Sequence, residues 1–388
     1  MPPSPQQQSG TAPALPPIVV SGTALAYTDG GKPAYVYRLL SGLARAESGY
    51  PIHLLVPERT NLEELPPQIT VTFTPRKLPR SRPIISEIFT SFTLASIARQ
   101  LDPRAIFITP SDFWALRYPR HRLAITHDAL PEIDAVSAGS AIRRFYRRQC
   151  IRYAKKAGVW ATISQFAADE LTHHHGQDRR PAVLQNWMDA SYRRPAPSAI
   201  ASLRQKLGLP DRFILYVGGY SRYKNVECLI RAHALASHSA PLPPLVLVGK
   251  IPSLHSGFNP CDIHGEITRS ACAPGSILMP GYVAESDMPA LYSAATLFVS
   301  PSLHEGFGYP PVEAMVVGCP ILVADRSSYR EIVPDARCRF DPDQPETLAR
   351  LLTEATSQPE RFTSPFSPLY DESSGIARYL AAIRSLHA

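Results

Sequence analysis

Short apolar runs alternate with longer amphipathic stretches along most of this chain. The runs are a few residues long, rich in Val, Ile, Leu and Phe, and bounded by polar or turn-forming residues, so they predict buried strands. After the first run, Val36, Leu39, Leu40 and Leu43 recur at helical spacing and predict a helix with one apolar face. Strands that alternate with helices indicate a doubly wound parallel sheet. We predict strands at residues 18–20, 52–56, 71–73, 105–109, 123–126, 213–217, 245–249, 297–300 and 320–324.

The number of predicted elements over 388 residues indicates two domains rather than one core. A Pro-, Ser- and Arg-rich stretch at 191–200 is the expected linker between a domain at 18–190 and a second at 201–362. Residues 1–17 are rich in Pro and Gln and have little to bury, so we predict a disordered tail there. A last amphipathic helix is predicted within 363–388.

Composition narrows the class of protein. Forty basic against thirty-three acidic residues give a net charge of +7, which favours anionic partners such as nucleotide phosphates or an acidic lipid surface without indicating nucleic acid. The six cysteines lack C-x-x-C spacing, so neither a zinc site nor a disulfide framework is suggested and a cytoplasmic location is expected. No apolar run approaches the roughly 20 residues of a membrane helix, and no signal-peptide pattern opens the chain. Any membrane association is therefore expected to be peripheral.

Residues 295–325 combine a strand, a loop, a short helix and a second strand. Pro310 and Pro311 suit the start of the helix, and Gly318 suits the left-handed residue just past its end. Glu305 lies in the loop, and Glu313 falls in the predicted first turn of the helix, with seven residues between them. Ligands of open α/β sheets bind beside such loops, at the carboxyl ends of the strands.

These acids and the adjacent glycines suit a nucleotide that carries phosphates and a sugar. Near a helix start, Glu313 can stay charged and accept two hydrogen bonds from a ribose diol. Gly306 and Gly308, on either side of Phe307, allow backbone N–H groups to approach an anion closely. Two acids at a given spacing are common by chance, so the pair alone leaves open that both are ordinary surface acids.

The string SLHEGFGYPPVEAMVVGCPILVAD at residues 302–325 closely resembles the signature of the family 4 retaining glycosyltransferases. Further matches run from Gly30 to about Asp341, so the resemblance covers most of the chain. It implies the GT-B fold, in which two Rossmann-like, doubly wound parallel-sheet domains face a central cleft and the C-terminal helix crosses back to the first domain. It also implies that Glu305 holds hydroxyls of the donor sugar.

Two positions in the first domain match further landmarks of the family. Gly31 belongs to a Gly-Gly loop that in the family faces the donor diphosphate, although by itself it reads as an ordinary tight turn. His127 ends a predicted strand in a His-Asp pair that resembles the one whose histidine contacts the donor sugar. Near the end of this domain Trp187 stands where the family pattern has a glycine.

In the second domain, the loop after residues 213–217 contains Arg222 and Lys224 beside two glycines. Two cations at a strand end suit a phosphate clamp, and Lys224 matches the family's phosphate-binding lysine. Many relatives carry an arginine where Gly219 stands, so whether Arg222 replaces it is open. Val283 lies in a segment that resembles the family's border to the nucleobase, where contacts are made mainly by the backbone.

Several stretches allow both a structural and a functional interpretation. Residues 141–156 interleave Arg and Lys with aromatic residues, which fits a solvated helix face or a surface for anionic lipid. The basic loop at 76–82 is equally ambiguous. His173, His174 and His175 point in different directions on a helix, so a solvated helix end is expected rather than a metal tract.

The resemblance implies transfer of a hexose with retention of anomeric configuration, with mannose and GDP-mannose as the favoured sugar and donor. The expected acceptor is a saccharide or polyprenyl-linked saccharide in surface or exopolysaccharide synthesis, at the inner face of the cytoplasmic membrane. No Asp-x-Asp stands at a strand end, so cationic side chains rather than a metal ion are expected to neutralise the phosphates. The alternatives are a sugar-nucleotide hydrolase or epimerase of the same fold and a non-catalytic sugar- or lipid-binding protein. A dinucleotide oxidoreductase is disfavoured because no G-x-G-x-x-G opens either domain.

Overall fold

Two parallel sheets organise the molecule. The computed structural model describes residues 15–27, 31–58, 60–62, 64–75, 83–115, 119–133, 140–176, 178–249 and 261–386. Within these ranges a seven-stranded sheet has the order β3-β2-β1-β4-β5-β6-β7 and a six-stranded sheet the order β10-β9-β8-β11-β12-β13. The strands are β1 Ile18–Ser21, β2 Ile52–Pro57, β3 Ile69–Thr74, β4 Ile106–Thr109, β5 His121–Ile125, β6 Val159–Thr162, β7 Ala182–Val183, β8 Ile214–Val217, β9 Leu245–Val248, β10 Ile277–Gly281, β11 Leu297–Ser300, β12 Ile321–Ala324 and β13 Arg339–Phe340.

Helices connect these strands and cover the sheets. They are α1 Thr23–Tyr27, α2 Gly31–Arg45, α3 Pro83–Leu101, α4 Leu130–Ile133, α5 Ala141–Lys155, α6 Gln165–His175, α7 Pro197–Leu207, α8 Val226–Ser239, α9 Ile263–Arg269, α10 Met288–Ala294, α11 Tyr309–Val316, α12 Tyr329–Ile332, α13 Pro345–Ser357 and α14 Glu372–Arg384. Among the described residues, no helix is both long enough and apolar enough to cross a bilayer.

The strand patterns explain why these runs form parallel sheets. Every residue of β1, β4, β11 and β12 is buried, as expected for strands covered by helices on both faces. Helix α2 buries Val36, Leu39, Leu40 and Leu43 against the first sheet, as their spacing predicts. The predicted doubly wound architecture is confirmed.

Some predicted boundaries move. Helix α2 begins at Gly31, five residues ahead of the first position of the apolar pattern, and the short helix α1 precedes it in a segment with no helical periodicity. Helix α7 begins at Pro197, inside the stretch predicted as linker. Most of the predicted N-terminal tail and the basic loop at 76–82 lie outside the described residues.

The C-terminal helix α14 lies against the first domain. Trp187, just before the interdomain segment, stands edge-on to Tyr379 of α14 with ring centroids 5.1 Å apart. A Cβ at Gly375 would lie 2.6 Å from the Trp187 ring, and one at Gly42 of α2 would lie 3.1 Å from it. The large indole therefore occupies the seam between α2 and α14, which explains the tryptophan in this segment.

Candidate active site

The loops that follow β8 and β11 meet where the strand order of the second sheet reverses. The two strands are hydrogen-bonded neighbours, and the chain leaves them in opposite directions, toward β9 and β12. The crevice outside the carboxyl ends of such strands is the usual ligand site of an open α/β sheet. Lys224, after β8, and Glu305, after β11, come together there.

Lys224 and Glu305 form a largely buried ion pair. Lys224 Nζ lies 2.5 Å from Glu305 Oε1. Burial alone would lower the pKa of Lys224, but the carboxylate of Glu305 outweighs it and the pKa is raised well above its usual range. Tyr329 Oη donates a hydrogen bond to the same Glu305 oxygen at 3.4 Å, and Glu305 N donates to Ser327 Oγ at 3.1 Å. The carboxylate and its backbone are therefore held in place by groups of the second domain.

The glycines of the loop after β11 are required by close packing. A Cβ at Gly306 would lie 2.7 Å from the carbonyl oxygen of His127 in the first domain. Ser164 Oγ, also of the first domain, donates to the Gly306 carbonyl at 2.5 Å. Gly308 has φ of +95°, and a Cβ there would lie 2.4 Å from the Tyr329 ring. This loop is the point at which the second domain touches the edge of the first sheet.

Glu313 is held differently from the sequence prediction. Helix α11 begins at Tyr309, ahead of both prolines, so Glu313 lies in its second turn rather than its first, where the helix dipole is weaker. Tyr292 Oη donates to Glu313 Oε2 at 3.0 Å. Arg38 Nη2, from helix α2 of the first domain, donates to Glu313 Oε1 at 2.9 Å. The carboxylate is therefore stabilised by a cation from across the cleft, 275 positions away in the chain, which no local pattern signals.

His127 is a buried, neutral histidine at the carboxyl edge of the first sheet. Burial, with the positive charge of Lys32 adding to it, lowers its pKa to about 4. Its Nε2 lies 2.7 Å from the carbonyl oxygen of Pro110, and its ring stands edge-on to Tyr35. Because a carbonyl only accepts, Nε2 carries the proton and Nδ1 is an acceptor. This tautomer can accept a hydrogen bond from a sugar hydroxyl.

The other residues predicted for the donor site differ in their exposure to solvent. Gly31 is the exposed first residue of α2, with open space where a Cβ would lie. Arg222 opens the 3-10 turn that carries Lys224, and its side chain is exposed. Val283 is buried in the segment after β10, and Phe307 is buried with its ring packed edge-on against Tyr370. Any contact of Phe307 with a ligand would therefore come from its backbone.

The first domain also contains a group of charged side chains, of which Arg147 is buried and the others are partly buried. Arg147 Nε lies 2.8 Å from Glu132 Oε1, and Arg147 Nη1 lies 2.5 Å from Asp112 Oδ1. Lys32 Nζ lies 3.8 Å from the other Asp112 oxygen. Burial, with repulsion from Asp112, raises the pKa of Glu87 to about 7. Arg147, which the sequence pattern grouped with the basic lipid-facing stretch, belongs instead to this network.

Helix α5 keeps part of the predicted basic surface exposed. We call Ile142, Phe145, Arg148 and Arg152 the basic-aromatic face; they recur at spacings of three and four and share one side of the helix. Ile142 is 55% exposed and Phe145 is 51% exposed, with Trp114 edge-on to the Phe145 ring. The opposite side of the helix is buried, whereas the basic-aromatic face is open to a partner.

Two further contacts join the domains. Glu331 Oε2 accepts hydrogen bonds from the backbone N–H groups of Gln165 and Phe166, which open helix α6 of the first domain. His304 Nε2 lies 2.8 Å from Glu170 Oε2. Both contacts lie near the glycine loop in the chain and tie the second domain to helix α6 of the first.

Thiols and clustered metal ligands are not features of this site. The six cysteines are free. In the parts of the chain that the structure describes, no three His, Cys, Asp or Glu side chains are grouped as metal ligands.

Comparison with known proteins identifies the two domains. A family model described as Glycosyltransferase Family 4 matches residues 29–192, and one described as Glycosyl transferases group 1 matches residues 200–364. Together they cover every strand of the two sheets except β1. The chain belongs to the family 4 glycosyltransferases. The family predicted from the sequence is therefore confirmed.

Relatives of this glycosyltransferase include mannosyltransferases of Escherichia coli. The serotype-specific mannosyltransferase WbdA is 29% identical over 248 residues, which is 61% of this chain and 29% of WbdA. The O-antigen chain mannosyltransferase B is 28% identical over 216 residues, 53% of this chain and 55% of that protein. The matches thus span about half or less of these relatives' own lengths.

A solved structure supports the fold of this glycosyltransferase. Sucrose-phosphate synthase from Thermosynechococcus elongatus superposes with a TM-score of 0.77 at 17% identity, covering 96% of this chain and 99% of that one. Identity this low speaks for the fold alone. The predicted GT-B fold is confirmed.

Proposed function

We propose that this protein transfers a hexose from a nucleotide diphosphate sugar to a saccharide acceptor with retention of anomeric configuration. The observation that carries the proposal is the Lys224–Glu305 pair at the reversal point of the second sheet, beside a glycine loop that touches His127. The two side chains are close enough for one sugar diphosphate to contact both, with its phosphate on Lys224 and a sugar hydroxyl on Glu305. Mannose is favoured because the relatives are named as mannosyltransferases, and GDP-mannose follows as the favoured donor.

Each residue near the crevice has a role in the proposed transfer. The bond between the anomeric carbon and the diphosphate oxygen breaks as the acceptor oxygen bonds to that carbon on the same face, and the acceptor proton passes to the departing diphosphate. Lys224, with the N–H groups of residues 306–308 and the exposed Arg222, would stabilise the charge that develops on the leaving group. Glu305 would hold donor hydroxyls, and neutral His127 would accept from another hydroxyl.

We further propose that this charge stabilisation needs no divalent cation. The support is the buried ammonium of Lys224, whose raised pKa keeps it charged at neutral pH. A fixed cation in a site of low dielectric can do the work that Mg²⁺ does elsewhere. Activity that survives excess EDTA would support this part, and restoration by Mg²⁺ alone after EDTA would contradict it.

The acceptor is proposed to be a saccharide or a polyprenyl-linked saccharide of a surface polysaccharide, elongated at the inner face of the cytoplasmic membrane. The basic-aromatic face of α5 supports a peripheral contact there, because exposed Phe145 and Ile142 can insert among headgroups while Arg148 and Arg152 attract anionic lipid. The face belongs to the first domain, which is the proposed acceptor side.

A donor panel tests the proposal. The protein is incubated with GDP-mannose, UDP-glucose and ADP-glucose, each with lipid-linked saccharide acceptors, and the product anomer is read by NMR. We expect a glycosylated acceptor with the donor's α configuration, and none from Glu305→Ala. Free sugar from every donor with no glycosylated acceptor would indicate a hydrolase, and a changed sugar on the intact nucleotide would indicate an epimerase.

A further inference from the structure

Arg38 occupies the carboxylate that the ribose of the donor is proposed to use. Its Nη2 lies 2.9 Å from Glu313 Oε1 and 3.0 Å from Glu285 Oε1, and its guanidinium carbon stands 4.0 Å from the centre of the Tyr309 ring. Arg38 and Glu313 are both largely buried, whereas Glu285 is 62% exposed. The only largely buried acid among these contacts is therefore the proposed ribose ligand.

This contact joins two domains. Arg38 belongs to α2 of the first domain, whereas Glu313, Tyr309 and Glu285 belong to the second. A ribose diol would need both oxygens of Glu313, because a carboxylate accepts two parallel hydrogen bonds from such a diol. Tyr292 donates one hydrogen bond to Oε2, and a carboxylate oxygen can accept a second, so Oε2 can keep Tyr292 and still accept from the diol. At Oε1 the donor is the charged guanidinium of Arg38, which also stands against the Tyr309 ring.

The surroundings of the pair contain a polar atom with no partner. Tyr192 Oη, in the segment between the domains, is buried and has no hydrogen-bond partner among the residues that the structure describes. It lies within electrostatic reach of Glu313, Glu285 and Arg38. A buried hydroxyl without a hydrogen bond costs free energy. While Arg38 is paired with Glu313, Tyr192 Oη lacks a hydrogen bond that a ligand hydroxyl at this place could supply.

We propose that Arg38 competes with the donor ribose for Glu313 and thereby sets donor affinity. This inference rests on the proposed function. In the donor-free protein the Arg38–Glu313 contact closes the ribose position and ties the two domains together; donor binding releases Arg38, and Glu313 then accepts the diol. A binding-competent state that is only fractionally populated lowers the apparent affinity by that fraction. The strength of the Arg38–Glu313 contact therefore determines how far the apparent donor affinity falls below the intrinsic affinity.

The first test compares Arg38→Met with the parent by calorimetry, with GDP and UDP as probes. We expect the variant to bind its preferred nucleoside diphosphate about tenfold more tightly. If Arg38 is paired with Glu313 in about 90% of the parent molecules, the apparent affinity of the parent is about tenfold below its intrinsic value. Inorganic pyrophosphate, which lacks a ribose, should bind both proteins equally. Unchanged or weaker nucleoside diphosphate binding by Arg38→Met would overturn the inference.

Matched variants separate competition from general loosening. Arg45→Met removes the ion pairs of the same helix with Glu372 and Asp189 but leaves Glu313 untouched, so it should not change nucleotide affinity. In a Glu313→Gln background, Arg38→Met should also have no effect, because the group for which Arg38 competes is gone. A tenfold gain that persists in that background would show that Arg38 acts elsewhere. Should Arg38→Met fail to fold, Arg38→Gln keeps a polar tip without the charge and should tighten binding in the same direction.

The outcomes distinguish this inference from the function on which it rests. If neither the parent nor Arg38→Met binds any nucleoside diphosphate, the proposed function fails and the competition fails with it. If the parent binds and Arg38→Met binds no better, only the role of Arg38 is wrong.

Discussion

Lys224 Nζ and Glu305 Oε1 lie 2.5 Å apart although 81 positions separate the two residues in the chain. Each belongs to a loop at the carboxyl end of a neighbouring strand, so the sheet itself brings them together. In this structure the two charges neutralise each other. In the proposed function, a sugar diphosphate that enters between them would exchange one charge-assisted contact for two, from Lys224 to phosphate and from Glu305 to a sugar hydroxyl.

Glu305→Gln is expected to lower kcat by on the order of ten- to a hundredfold, which corresponds to about 1.4 to 2.7 kcal/mol of transition-state stabilisation. In the proposed transfer this carboxylate faces the sugar whose bond to phosphate breaks, and its contacts would strengthen as positive charge grows on the ring. Steady-state kinetics with separate nucleotide-binding measurements check this. Glu354→Gln, an exposed acid on α13, is the control and should leave kcat unchanged. Full kcat in Glu305→Gln on a natural donor and acceptor would mean that the site is wrong.

Glu313→Gln should raise the donor KM and leave kcat nearly intact. The proposed ribose contact is made equally in the ground and transition states, so its loss weakens binding without slowing the chemical step. We expect the donor KM to rise about three- to tenfold. This rise is smaller than the loss of a charge-assisted hydrogen bond usually causes, because the substitution also weakens the competing contact of Arg38 with residue 313. A fall in kcat at unchanged KM would place Glu313 at the reacting sugar instead.

Lys224→Ala should weaken binding of nucleoside diphosphates by roughly tenfold or more, since a hydrogen bond to a charged group contributes about 1.5 to 3 kcal/mol. Arg222→Ala is the matched variant from the same turn, and we expect a smaller loss because its side chain is exposed. Calorimetry with GDP and with guanosine reads both. Equal GDP affinity in Lys224→Ala and the parent would remove Lys224 from the site.

The buried neutral His127 predicts a pH dependence of stability. Its folded pKa of about 4 lies below the unfolded value near 6.5, so between these values the unfolded chain binds more protons than the native protein. Stability is therefore full above about pH 6.5 and falls as the pH drops toward 4, by at most about 3 kcal/mol from this group. His127→Asn should lose less of its unfolding free energy than the parent between pH 7 and 4.5 in urea titrations. Parallel losses in the two proteins would exclude the depressed pKa.

Sedimentation with vesicles tests the basic-aromatic face. The parent should bind vesicles of anionic lipid at low salt and be released at high salt, because each basic residue near such a surface contributes about 1 kcal/mol and salt screens it. The double variant Ile142→Ser with Phe145→Ser should bind severalfold more weakly. Phe73→Ser, which removes a similarly exposed phenylalanine from β3, should bind like the parent. No binding of the parent at low salt would leave α5 as a solvated helix.

Much of the architecture can be predicted from short patterns of apolar and turn-forming residues in the sequence. The strands at 297–300 and 321–324, the left-handed Gly318 after α11 and the glycine loop at 306–308 follow from apolar runs and turn chemistry, each of which involves neighbours in the chain. The family signature lies in the same contiguous stretch. For these features the sequence alone was sufficient, because the forces that create them act over a few residues.

The pairing of charges was decided by the tertiary structure. The sequence places Glu313 near a helix dipole, yet its cation is Arg38 from the other domain. The sequence places Arg147 on a basic surface, yet this residue is buried between Asp112 and Glu132. A charged residue on a helix has the same local pattern whether its partner is water, lipid or a distant carboxylate. Only the packing of helices on sheets, and of one domain on the other, determines which charged side chains are desolvated. Those side chains must form ion pairs, because an unpaired buried charge is strongly destabilising.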